Sequence, residues 1–364
     1  MKVLLIGEYS NVHWTLAEGL RALGHQVTVV SDGDLWKDYP RDINLQRKSL
    51  GRWDTSQYLL RIEGILPRLK GYDVVQLINP IFFDLKAERM WRYYSILRRN
   101  NRRVFLGAFG MDHYWVKAGL DCKTFRYSDF NMGKEQRHSA EIDFMVKDWI
   151  SGPKKEINAF IAHDCNGIIS GLYEYHMSYL PEYANKLQYI PFPIQIPDIT
   201  PSPDIPSPIR FFIGIQKTRN EYKGTDIMLS ALEKLKQDYP EKVVIKRAEN
   251  IPFELYETML DQSDVLLDQL YSYTPAMNGL LAMSRGLVLV GGGEPEHYKL
   301  LGESELRPII NVQPSFEDVY CKLLALILNP ERIPQLKRDS IEYIRRHHEY
   351  KKVAQQYVDF WSKP

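Results

Sequence analysis

Short unbroken apolar runs alternate with amphipathic stretches along this chain. Val3, Leu4, Leu5 and Ile6 make a continuous run of the kind that a strand buried on both faces needs, and Gly7 ends it. Trp14, Ala17, Leu20, Ala22 and Leu23 then recur at helical spacing, and Gly24 stands where a helix closes on a left-handed residue. Val27, Thr28, Val29 and Val30 supply a second strand. Strand, helix and strand within about 30 residues predict a βαβ unit, and with it a right-handed crossover and a parallel sheet.

The alternation continues through the first half. Residues 72–78 and 104–106 predict strands, 86–99 a helix between them, the end of 159–169 another strand, and 187–191 the last. Prolines then fall at 191, 193, 197, 201, 203, 206 and 208. Proline lacks an N–H and fixes φ, so this segment is neither a helix nor a central strand. It reads as a connection between domains, the alternative being a disordered loop inside one. Afterwards strands are predicted at 210–215, 243–246, 264–267 and 287–290, and helices at 226–236, 252–262 and 277–284. The tail from 333 to 361 reads as helical, with Val353, Gln356, Tyr357 and Phe360 on one stripe.

The expected fold class is therefore α/β: two Rossmann-like, doubly wound domains facing each other across a cleft. The expected divisions are 1–192, a proline-rich linker at 193–208, a second domain at 209–345 and a final helix at 346–364. Ligands of such sheets sit at the carboxyl ends of the strands.

Composition narrows the function classes. Hydrophobic residues make up 44% and charged residues 26%, a globular balance. Lysine and arginine number 47 against 46 aspartates and glutamates, so no global positive field points to nucleic acid. Cys122, Cys165 and Cys321 are scattered without CxxC spacing, which argues against a disulfide framework or a zinc site and fits a reducing compartment. The opening MKVLLIGEYS has too short an apolar run for a signal segment, and no stretch reaches the roughly 18 to 20 apolar residues of a membrane span. A cytoplasmic protein is expected. The residues after the first strand carry no GxGxxG, which disfavours a dehydrogenase.

Two segments carry candidate chemistry. In FFIGIQKTRNEYKG a strand ends at Gly214 and opens a loop with Lys217, Arg219 and Lys223, followed by Gly224 and by Thr225 as a candidate N-cap. Cations beside the free N–H groups of a helix start are the ingredients for holding a diphosphate; a solvated basic loop is the alternative. In SDVLLDQLYSYTPAMNGLLAMSRGLVLVGG a strand delivers Asp268 and Gln269 to its carboxyl end. Thr274 and Asn278 then flank a helix start.

Together with LAEGLRALGHQVTVVSD, YDVVQLINP, VFLGAFGMDHYW, IPFPI and YIRRHHEYKKVAQQYVDFW, these segments resemble the group 1 (family 4-type) retaining glycosyltransferases of GT-B fold, over nearly the whole chain. The resemblance implies a nucleoside-diphosphate sugar as donor substrate and no separate cofactor. It implies a glycan, lipid-linked or small-molecule hydroxyl as acceptor. Lys223 falls on the family's phosphate-binding lysine, and Lys217 falls where the family has arginine, a point charge in place of a bidentate fork. The family's paired glutamates fall at Thr274 and Leu281, neither of them acidic. Glu294 or Glu296 in GGGEPEHY is then expected to contact the sugar, a surface loop being the alternative. The acceptor-side histidine is replaced by Phe109. Asp112 matches an acidic position, and His113 is expected either to donate to the transferred sugar or to be structural. His13 is expected to line the cleft. With lysines and a helix dipole neutralising the diphosphate, no metal is expected. The absence of both glutamates keeps a second reading open: a catalytically inactive, nucleotide- or sugar-binding GT-B-like protein.

Residues 89–103 form a basic, aromatic helix end, a candidate contact with an anionic inner-membrane surface bearing a lipid-linked acceptor. The preferred reading has its arginines complementing the helix C-terminus while Trp91, Tyr94 and Leu97 pack inward. The long aromatic stretch 121–152 is expected to cover the acceptor side.

Overall fold

A computed structural model describes residues 1–215, 220–249 and 251–363. The first half runs β1 (Lys2–Ile6), α1 (Val12–Ala22), β2 (Gln26–Ser31), β3 (Ile43–Asn44), α2 (Arg52–Ile65), β4 (Val74–Leu77), α3 (Ala87–Asn100), β5 (Arg103–Ala108) and α4 (His113–Leu120). A small hairpin follows, β6 (Asn131–Met132) with β7 (Glu135–Gln136), and then α5 (Ala140–Ile150), α6 (Pro153–Asp164), β8 (Gly167–Ser170), α7 (Tyr173–Tyr183) and β9 (Leu187–Tyr189). Seven strands form a parallel sheet in the order β3-β2-β1-β4-β5-β8-β9. The run Val3–Ile6 is wholly buried because helices cover both faces. Its alternate residues feed different cores, Val3 and Leu5 one, Leu4 and Ile6 the other.

The second half contains β10 (Ile209–Ile215), α8 (Asn220–Lys223), α9 (Thr225–Asp238), β11 (Val243–Glu249), α10 (Phe253–Asp261), β12 (Val265–Leu267), α11 (Met277–Ser284) and β13 (Val288–Gly291). It ends with α12 (Pro295–Leu301), β14 (Ile310–Asn311), α13 (Phe316–Leu328), α14 (Ile333–His347) and α15 (Tyr350–Ser362). Five parallel strands order as β11-β10-β12-β13-β14, so the strand order switches direction at β10, with β11 added on one side and β12 on the other. In both sheets the strand order switches direction beside the first strand in the chain, β1 and β10, the topology that opens a crevice at the carboxyl edge.

Two local expectations change. The helical tail is broken between α14 and α15, because Ile194 of the proline-rich connection inserts there. Its N–H donates to the His348 carbonyl (2.6 Å) and its carbonyl accepts from Tyr350 N (3.1 Å). The Glu349 side chain then caps α15 by accepting from Lys352 N. Secondly, the cap of α9 is Gly224 and not Thr225, which is the first helical residue. Gly224 has φ +70°, and a Cβ there would lie 2.7 Å from Leu270 Cβ, so both conformation and space require glycine.

Helix α15 packs on the first domain. Phe360 and Trp361 meet the Phe105 ring of β5, and a Cβ on Gly19 of α1 would collide with Tyr350 and Ala354. One hydrophobic core therefore runs through both halves, from Val3 and Phe105 by way of Tyr343 and Tyr357 to Phe212 and Leu266.

Candidate functional site

The loops that leave the carboxyl ends of β1, β2, β10, β11 and β12 converge on one cleft of about 1090 Å3. Ser10, Asn11, Asp34 and Lys37 line it from the first domain; Gly214, Lys223, Thr225, Asp268 and Asn278 line it from the second. Ser10, Asn11, Asp34 and Leu35 all hold positive φ, between +51° and +69°. Non-glycine residues in that region are uncommon, and here they gather in the two loops that form the cleft rim.

Lys223 ends the short helix α8, just before the Gly224 turn into α9. Its charge acts on the carboxylate of Asp268, at the end of β12. The structure thus brings Lys223, Gly224, Thr225 and Asn278 to one region: Lys223, Thr225 and Asn278 line the cleft, and Gly224 shapes the turn between them. Lys217 and Arg219 lie outside the described residues. Asn278 is held at both ends, its Oδ1 accepting from Tyr256 OH (2.7 Å) and its Nδ2 donating to Asp268 Oδ1 (2.9 Å). Burial raises the Asp268 carboxyl above its ordinary value, against the pull of Lys223, Asn278 and the Gly279 amide. Leu281 also faces the cleft, on the helical face of Asn278.

The remaining expected residues are placed elsewhere. His13 sits in the first turn of α1, fully buried behind the cleft wall. Burial holds its pKa at about 3, so the ring is neutral and its Nδ1–H donates to the Gly7 carbonyl (2.8 Å). Phe109 packs edge-on against it. Asp112 is the N-cap of α4, accepting from Trp115 N (2.8 Å) and from Tyr179 OH (2.7 Å). Burial pushes its carboxyl up to about 6. His113 Nδ1 is 2.9 Å from the Trp149 carbonyl, and its N–H donates to Asn158. None of the three lines the cleft; their geometry is that of supports inside the first domain.

Thr274, Glu294 and Glu296 lie in a second contact between the domains and do not line the cleft either. Thr274 Oγ1 accepts from Tyr173 N (3.1 Å). Glu294, 3% exposed, accepts from Tyr127 OH and Gln313 Nε2 (2.6 Å each) and from Asn311 Nδ2 (2.9 Å). Arg126 pairs with Glu294 at 2.6 Å and also with Glu296. Burial alone would raise the Glu294 carboxyl; these donors and the Arg126 charge hold it below its ordinary value. The expected sugar contacts at 294 and 296 are thus engaged by the 121–152 stretch, which grips the second domain. Tyr222 OH of the second domain donates to Asp129, and the Arg137 guanidinium lies 3.4 Å over the Tyr271 ring. Glu174, at the start of α7, completes this contact: its Oε1 accepts from Ser272 Oγ, Tyr273 N and Thr274 N.

Sequence reasoning misses Glu174 and Arg126, since each acts on a partner far away in the chain, and it misses the place of Asn11 on the cleft rim. One local signal was there to be read, the Asp32-Gly33-Asp34 triplet after β2. It borders a hollow of about 230 Å3 in the first domain, with Glu8, Tyr9, Tyr58 and Phe82. Asp34 is spent on Lys37 Nζ (2.6 Å) and Ser10 N (2.8 Å). The basic helix end is also engaged: Arg92 pairs with Glu63 and Arg98 with Asp164, while Tyr94 and Leu97 are buried. Among the described residues, no helix is long and apolar enough to cross a membrane.

No family sequence profile matches the chain, and no curated protein does. Solved structures are similar to it in fold. Sucrose-phosphate synthase from Thermosynechococcus elongatus matches with a TM-score of 0.62 at 12% identity, over 99% of this chain and 98% of that one. HepE of Anabaena, solved with UDP and glucose, gives 0.62 at 10% identity, over 100% and 99%. A putative UDP-N-acetylglucosamine 2-epimerase from Listeria monocytogenes gives 0.56 at 11%, over 98% and 94%. At such identities the likeness speaks to architecture alone. Two parallel sheets with their carboxyl edges turned to one cleft, and a last helix returning to the first domain, place this chain in the GT-B fold.

Proposed function

We propose that this chain is a glycosyltransferase that moves a sugar, with retention and without a metal, from a nucleoside-diphosphate sugar to a hydroxyl acceptor. The acceptor is a glycan, a lipid-linked sugar or a small molecule, and the setting is cytoplasmic synthesis of surface polysaccharide or glycoconjugate. The observation that carries the reading is the placement of Lys223 and the first turn of α9 in a cleft whose other wall belongs to the opposite domain. HepE, of similar fold, is solved with UDP and glucose.

Bond breaking between the anomeric carbon and the diphosphate leaves negative charge on the departing oxygen. Lys223 and the amides of α9 stabilise that charge, and a preorganised cation does so without reorganising at the moment of reaction. The first domain presents the acceptor from the 230 Å3 hollow, which opens beside Asp34 and Leu35 of the cleft. The acceptor hydroxyl attacks from the face that the diphosphate leaves, and its proton passes to the departing phosphate oxygen. The domains supply orientation, which is a large share of the barrier in a two-substrate reaction.

Calorimetry with UDP, GDP and their sugars tests the reading. Lys223→Ala should weaken binding of the preferred diphosphate by roughly 10- to 100-fold, the worth of a charge-assisted contact, with the melting temperature nearly unchanged. Unaltered affinity removes Lys223 from the site. Binding without turnover by any acceptor would favour the inactive binder, and epimerised free sugar nucleotide would favour an epimerase.

A further inference from the structure

Lys223 is a cleft cation of the second domain, yet the turn that carries it is gripped from the first. Helix α8 has four residues, too few to hold a helical turn unaided, and the carbonyls of so short a turn need donors from outside it. Arg137, which follows β7 in the hairpin of the first domain, supplies them. Its Nη2 donates to the Glu221 carbonyl (2.7 Å) and its Nη1 to the Tyr222 carbonyl (3.3 Å). The same Nη1 donates to the Ser128 and Asp129 carbonyls (3.1 Å each), and Arg137 N donates to the Phe130 carbonyl (2.8 Å), so the guanidinium is fixed to its own hairpin. Its flat face lies over the Tyr271 ring, in the loop whose Leu270 N–H donates to the Lys223 carbonyl (3.0 Å).

Tyr222 is a second tether. Its hydroxyl donates to Asp129 Oδ2 (2.6 Å), and its ring packs with Trp115 and Phe130 in an aromatic core of the first domain. Residues 221, 222 and 223 are thus each bound through the backbone, two of them by one arginine of the opposite domain. The Lys223 charge acts on Asp129 as well as on Asp268, so its ammonium lies in the field of one carboxylate from each domain. Arg137 does not line the cleft.

Resting on the glycosyltransferase reading above, we propose that Arg137 of the first domain is a positioning residue for Lys223 of the second. The cation that meets the departing diphosphate is set in place by the acceptor-side domain. A flexible lysine stabilises developing charge best when its position is fixed beforehand. Holding α8 from across the cleft gives the leaving group its full stabilisation when the two domains are closed on each other, and less when they part. The planar fork of arginine suits this task, because it reaches carbonyls of both domains at once while stacking on a ring.

A double-mutant cycle on the full chain tests this, read by calorimetry with UDP, GDP and ADP. For whichever diphosphate binds best, Lys223→Ala should weaken affinity roughly 10- to 100-fold in the wild-type background. In Arg137→Ala, where the lysine has lost its support, the same change should cost less than about three-fold. Arg137→Lys keeps the charge without the fork and should behave as Arg137→Ala does. Tyr222→Phe leaves the ring packed and guards against a folding defect in the arginine variants. It should weaken binding about two- to five-fold, and that loss should vanish once Lys223 is alanine. Equal costs of Lys223→Ala on both backgrounds overturn this inference and leave the transferase reading intact. So does wild-type affinity in Arg137→Lys, or a Tyr222→Phe loss that persists without Lys223. Failure of all three diphosphates to bind, or no effect of Lys223→Ala in the wild-type background, overturns both.

Discussion

Replacing Glu174 by alanine removes the acceptor of three second-domain donors at once. Two of them have fallbacks: Ser272 Oγ can turn its one proton to the Thr274 carbonyl (2.6 Å), and Thr274 N lies 3.3 Å from Ser272 Oγ. Tyr273 N is left with no acceptor, since its only hydrogen bond among the described residues goes to Glu174. Stranding one buried amide costs about 1–3 kcal/mol. Some of that is offset, because Glu174 is 4% exposed with its Oε2 unpartnered, and burial raises its pKa. The net expectation for Glu174→Ala is a loss of about 2 kcal/mol. Glu174→Gln keeps the accepting oxygen and cannot ionise. A raised folded-state pKa means that the folded chain holds a proton the unfolded chain has released, so above 4.5 wild-type stability falls with pH until the folded group ionises. Glutamine escapes that loss, and its advantage over wild type should grow from pH 5 to pH 8. Urea unfolding at the two pH values reads both effects as midpoint shifts. Equal stability of the alanine and glutamine variants would refute the account, and so would a glutamine variant that loses ground as pH rises.

Three further outcomes follow from the same structure. Asp264, 1% exposed, accepts from Arg210 and Lys337 (2.7–2.8 Å); Asp264→Ala leaves the buried Lys337 ammonium unpaired and should cost about 3–5 kcal/mol in urea unfolding. A loss below 1 kcal/mol would show that the pair is not closed in solution. Burial lowers the pKa of His13, His297 and His348 to about 3, so their imidazole NMR shifts should stay in the neutral form from pH 8 to pH 5. The stability these rings confer is present above 6.5 and is lost as pH falls below it, while the raised carboxyls of Glu8, Asp112 and Asp129 pull the other way. Titration of any of the three near 6.5 contradicts its burial. Finally, Asn11 has φ +69° and no side-chain cap bond, so Asn11→Gly should stabilise the fold by about 0.5–1 kcal/mol and weaken sugar-nucleotide binding. A variant that binds as the wild type does would take Asn11 out of the site.

Much of the architecture was legible because it is written in local patterns. A strand covered on both faces must be apolar throughout, so Val3–Ile6 and Val288–Val290 announce themselves, and Gly24 marks its helix end because the turn needs φ +84°. The proline cluster falls between β9, the last strand of one sheet, and β10, the first of the other, and it was legible for an equally local reason, the missing N–H groups. That Lys223 and Asn278 lie on the cleft was legible because each follows the carboxyl end of a strand, the edge at which such sheets open their crevice. What no pattern disclosed is which polar groups spend their hydrogen bonds on the protein itself. Glu294 and Glu296 look available in sequence, but Arg126, some 170 residues earlier, occupies them. Asp112 reads as a cleft carboxylate until Tyr179 and the α4 amides are seen to claim both its oxygens. Asp268 is the converse, an ordinary strand-end residue whose carboxylate is tied into the Tyr256–Asn278 relay by the way α10 and α11 converge on it. Hydrophobic periodicity depends on neighbours three or four residues away and survives in one dimension. Hydrogen-bond satisfaction depends on partners brought together by the closed pair of domains, and only the tertiary structure decides it.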